Sequence, residues 1–164
     1  MSESEKYAMT EEALVSDLTN RVSILFSSDA DLVLAIIRAH LYTEFLIEHI
    51  IENNLPMGER ISKNGRFTYS HKLTVVSSLG LVPDEVIASL RKFNKIRNDC
   101  AHEIEHKITQ EMLDSFRAPL GNLKKVFDQA DHVFDLKLKF GRTVVYICGY
   151  LAAAAYPSVV NKNF

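Results

Sequence analysis

Pro83-Asp84-Glu85-Val86-Ile87-Ala88-Ser89-Leu90-Arg91-Lys92-Phe93-Asn94-Lys95-Ile96-Arg97-Asn98-Asp99-Cys100-Ala101-His102 is the stretch whose spacing decides the fold. Proline suits a helix start, since the N–H it lacks would have no partner there, and the two acids favour the positive end of the helix dipole. At about 100° per residue, Val86, Leu90, Phe93 and Cys100 then fall on one apolar stripe. Arg97 falls in the middle of that stripe, where an apolar side chain is expected. A guanidinium there is costly unless it is paired or lines a cleft.

Outward from this helix the same period recurs. Residues 11–26 read as a first helix, and Ser28-Asp29-Ala30-Asp31 as a capping box opening a long helix to about Asn53. Residues 54–67, with Pro56, Gly58 and Asn64-Gly65, read as a loop. A short helix over 69–79 stops at Gly80, Thr109 caps a helix over 110–130 interrupted at Pro119, and 139–156 form the last. No repeat or strand-like alternation persists. The expectation is one all-α domain over residues 1–164, an antiparallel helical bundle with a loose N-terminus at 1–9 and a C-terminal apolar helix at 139–156.

Composition narrows the function classes. With 19 Lys and Arg against 21 Asp and Glu, net charge is −2, so no bulk positive field holds nucleic acid and any such contact needs a local patch. Cys100 and Cys148 form no Cys-x-x-Cys pair and read as buried free thiols of a reducing compartment. The acidic start, Met1-Ser2-Glu3-Ser4-Glu5, lacks a signal-peptide pattern, and a cytoplasmic location is expected. Residues 143–160 carry no charge, yet are barely long enough to cross a bilayer, are diluted by alanines and end at Pro157. They read as a buried or dimer-interface helix, with no membrane partner. No phosphate-cradling glycine loop or nucleophile elbow is present, and no cofactor is expected.

The long helix offers Arg97 a partner. Val33, Ile37, Ile47 and Ile51 mark an apolar sector, and Glu44 points into it with His40 one turn earlier. A Glu44–Arg97 contact is therefore expected, and removing Arg97 would strand the carboxylate. Two readings remain open. Such a pair can simply fix helix register, or it can belong to a site that includes His102. Asn98 and His102 share a face, whereas Arg97 and His102 diverge by about 140° in a straight helix. They converge only if the helix bends or frays near Ala101, or if a second subunit completes the site. The chemistry such a group supports is metal-free RNA cleavage: His102 moves a proton, Arg97 stabilises phosphate charge, and Asn98 orients either.

Arg97-Asn98-x-x-x-His102 at a helix end resembles the Arg-x4–6-His signature of the HEPN superfamily. Lys72-Leu73, Leu79-Gly80-Leu81, Leu90, Ile96-Arg97-Asn98 and Ala101-His102-Glu103 are similar to the mannitol-operon-repressor-like group within it, over about residues 30–115. The resemblance implies an antiparallel bundle that dimerises, with the motifs of two subunits lining one cleft. In catalytic members it implies metal-independent endoribonuclease activity, as a toxin or defence effector, with an antitoxin or regulatory protein as partner. By it Arg97 and His102 form the catalytic pair, Asn98 is the polar motif residue and Glu44 supports them. The repressor-like branch implies the alternative, a non-enzymatic transcriptional regulator or protein-interaction module.

Arg60, Lys63, Arg66, His71 and Lys72, interleaved with Phe67 and Tyr69, could steer a backbone and stack bases, or could be a solvated loop. Of these, Arg60, Lys63, Arg66 and Lys72 are the candidate RNA contacts. His102 and His106 have helical ligand spacing with Glu103 and Glu105 between them, but no third histidine lies close in sequence, and no metal is assigned.

Overall fold

Asp31 sets the entry of the longest helix: its extended backbone and side-chain oxygen, 2.9 Å from the Leu34 N–H, satisfy one of the donors a helix start leaves free. The cap is Asp31; Ser28 and Ala30, the other part of the expected capping box, lie outside the described residues. This is a computed structural model, and the structure describes residues 11–27, 29, 31–102 and 106–156. Among them the chain is all-α, with no strand. The helices are α1 (Glu11–Leu25), α2 (Leu32–Asn54), α3 (Glu59–Ser62), α4 (Tyr69–Leu79), α5 (Asp84–His102), α6 (Gln110–Arg117), α7 (Asn122–Ala130) and α8 (Leu136–Ala155).

The stretch 54–67 is not wholly loop, since α3 lies within it. Gly58 explains the close turn there: a Cβ at that position would sit 2.2 Å from the Ile51 carbonyl oxygen, so only glycine lets the chain pass the end of α2. Gly80, at φ 66°, ends α4 in the left-handed conformation that glycine adopts without strain. Thr109 caps α6 as expected, and a 3-10 turn over Ala118–Leu120 makes the interruption at Pro119. The last helix begins earlier than its apolar run, at Leu136, because Asp135 accepts from the Leu138 N–H.

α2 packs along α8, α1 lies on α8, α4 and α5 lie on α2, and α6 bridges α5 and α8. The α5 stripe is buried as its spacing requires, with Val86, Leu90 and Phe93 sealed and Cys100 nearly so. Phe93, Phe116 and Phe140 stack in succession across α5, α6 and α8, at centroid distances of 4.8 and 6.0 Å. The uncharged part of α8 is covered by the chain's own core: Val144, Ile147, Cys148, Leu151, Ala152 and Ala155 are buried. Among the described residues no helix is long and apolar enough to cross a membrane.

Candidate active site at the end of α5

α5 stays helical through Ala101 to His102, so fraying before His102 does not turn the ring toward Arg97. Arg97 is half-buried and its Nη1 donates to Asn98 Oδ1 at 3.1 Å. Its Nε is buried with no hydrogen-bond acceptor among the described residues. His102 is exposed at the helix terminus and makes no hydrogen bond among the described residues. The structure thus joins Arg97 to Asn98 and leaves His102 open to solvent one turn further on. Of the candidate metal ligands, Glu103 and Glu105 lie outside the described residues.

Glu44 does not pair with Arg97. Its Oε1 accepts from Lys72 Nζ at 2.8 Å, and the same ammonium donates to Glu48 Oε1 at 2.5 Å. The reason is the register of α4. Tyr69, Lys72, Leu73 and Val76 share its buried face, so Lys72 enters the α2 contact and reaches the acids there. Burial opposes the Lys72 charge, but the hydrogen bonds it donates to both carboxylates hold its pKa above the usual value. Lys72 is consequently not available to a phosphate, contrary to the sequence expectation. Tyr69 also departs from the expectation: it is buried, with its hydroxyl 3.0 Å from Thr43 Oγ1, and cannot offer its ring to a base. Arg60, Lys63 and Arg66 are exposed, with Lys63 holding Glu59 at 2.7 Å.

Between α2, α4 and α5 lies a histidine whose role the sequence did not disclose. His40 is 2% exposed and its ring centroid lies 4.0 Å from that of Tyr69. Asn94 Nδ2 donates to Ser70 Oγ, so Asn94 Oδ1 accepts from His40 Nε2–H at 2.9 Å. His40 Nδ1 is then the unprotonated nitrogen, buried without a partner among the described residues. Burial pushes the His40 pKa down to about 4, the Asn94 bond opposes this, Arg97 adds to it, and Glu44 works against it. Arg97 and Glu44 therefore share a neighbour although they share no bond. The ring is neutral near pH 7.

A second buried cation escaped the sequence reading. Arg117 is 1% exposed; its guanidinium lies 2.7 Å from Asp131 Oδ2 and donates to Thr143 Oγ1 and the Lys139 carbonyl, each at 2.8 Å. Arg142 closes on the other Asp131 oxygen. The available signal was Arg117 following Phe116 at the end of the α6 stripe, four residues beyond Leu113. This cluster ties α6 to α8 and lies apart from the α5 motif in sequence and in its contacts. A cavity of about 530 Å³ lined by Val22, Phe26, Phe127, Leu138, Val145 and Tyr146, among others, includes no motif residue either.

Compared with family models, with curated proteins and with solved structures, the chain finds no match.

Proposed function

We propose that this chain is a HEPN-like, metal-independent endoribonuclease, a homodimeric toxin or defence effector built on an antiparallel bundle. One observation carries the reading: an exposed His102 ends the same helix on which Arg97, braced by Asn98, keeps donors uncommitted to any carboxylate among the described residues. An acceptor phosphate is the natural partner for such a guanidinium. In the reaction His102 takes the proton from the ribose 2′-hydroxyl or gives one to the leaving 5′-oxygen, and Arg97 meets the charge that builds on the phosphoryl oxygens. Because α5 carries the two groups on diverging faces, the His102 that serves a given Arg97 comes from the second subunit. Glu44 acts at a distance, by holding Lys72 and with it the α2–α4 contact. Incubation of the purified protein with RNA in EDTA, beside a His102→Ala control, tests the reading.

A second reading is a regulator or partner-binding module without catalysis. It is favoured by the loss of Lys72 from the basic set: Arg60, Lys63 and Arg66 remain, one of them neutralised by Glu59, and Glu44 with Glu48 outweighs Lys72. Such a surface attracts phosphate weakly.

A further inference from the structure

α2 carries an outward strip that nothing among the described residues covers. Leu34, Leu41 and Phe45 are 44%, 54% and 44% exposed, and with Arg38, Glu48 and Glu52 they recur at helical spacing along one side. Scattered exposed apolar residues need no explanation, but three aligned on one helix with a cation at one end and acids at the other do. Arg38 is exposed and has no ion-pair or hydrogen-bond partner among the described residues. Glu48 shares Lys72 with Glu44, so that group of three keeps one uncompensated negative charge.

Arg38 and Glu48 stand ten residues apart, about 15 Å along the axis, too far to meet within one helix. An antiparallel second α2 brings them together. Centring a two-fold axis on residue 43 sets Leu41 against the partner copy's Phe45, Arg38 against its Glu48 and Leu34 against its Glu52, with each contact made twice. Residue 43 is also the midpoint of Leu32–Asn54, so this register overlaps the two helices over their whole length. A parallel pairing would instead set Arg38 on Arg38 and bring no cation to Glu48.

We infer that the exposed strip of α2 is the face through which two copies of this chain associate, as an antiparallel α2–α2 pair. The inference rests on the dimeric part of the reading above and names its surface; it does not depend on RNA cleavage.

The test is sedimentation equilibrium on the full chain and its variants, with circular dichroism to check folding. Leu41→Asp and Arg38→Glu should each weaken self-association at least about tenfold at unchanged helicity, and Arg38→Glu with Glu48→Arg in one chain should restore it. A mixture of Leu41→Cys and Phe45→Cys chains should form a 41–45 disulfide under mild oxidation faster than either chain alone. A dimer unaffected by these variants and lacking that cross-link overturns the α2 face while leaving dimerisation standing. A wild-type chain that is monomeric at every concentration overturns both.

Discussion

Lys72 Nζ stands 2.8 Å from Glu44 Oε1 and 2.5 Å from Glu48 Oε1, so one nearly buried ammonium holds two carboxylates of the neighbouring helix. Removing it leaves two like charges one turn apart on α2. Because the acids keep about a quarter to a third of their side-chain surface, water relieves part of the cost. Lys72→Ala should destabilise by about 1–3 kcal/mol, below the range for a fully buried pair. Urea denaturation of the variant reads this, and an unchanged midpoint would mean that the three groups do not bind α4 to α2.

The same relationship alters what Arg97 does for stability. With Glu44 held by Lys72, Arg97→Ala strands no carboxylate among the described residues, and its cost should stay within about 1 kcal/mol. A loss as large as that of a broken buried pair, measured in the same denaturation series, would restore a Glu44–Arg97 contact in solution.

Arg117 should behave in the opposite way. Asp131 is 2% exposed, so Arg117→Ala leaves a carboxylate buried with only the half-exposed Arg142 beside it, at a cost of about 3–5 kcal/mol. Arg117→Met with Asp131→Asn should recover much of that loss, since no ion is then left buried. Thermal unfolding of the two variants separates the cases; equal loss in both would assign the effect to volume rather than charge.

Much of the fold was legible in the sequence and less of the site. Apolar period, Pro83, Gly80 and Thr109 gave helix positions because each acts through its own few residues. The pairing of charges was not legible, because it depends on which helix lies alongside which. Arg97 and Glu44 both stand on apolar faces, yet the partner of Glu44 came from α4, where Lys72 had read as part of a basic, loop-flanking run. Its place four residues before Val76 and three after Tyr69 was the signal that it faces inward. His40 and Arg117 were hidden for the same reason: a polar residue on an apolar stripe shows that a partner exists, not where it is.

His40 gives the pH dependence. Its folded pKa, about 4, lies below the ordinary 6.5, so the unfolded chain binds a proton that the folded chain rejects. The stabilisation linked to the neutral ring is complete above pH 6.5 and is lost as pH falls toward 4, by about 3 kcal/mol in all. His40→Phe should flatten that part of the stability profile. NMR titration should place the His40 midpoint near 4, and a midpoint near 6.5 would contradict the buried, neutral ring.

The central claim is that α5 ends in a ribonuclease site, and single-turnover cleavage of RNA in EDTA, with wild type and His102→Ala side by side, tests it most directly. Cleavage by the wild type should survive chelation and weaken with added salt, as phosphate recognition does. His102→Ala should not cleave, and its melting temperature should be nearly unchanged because the ring is exposed. An inert wild type, or a His102→Ala chain that cleaves at the wild-type rate, would contradict it.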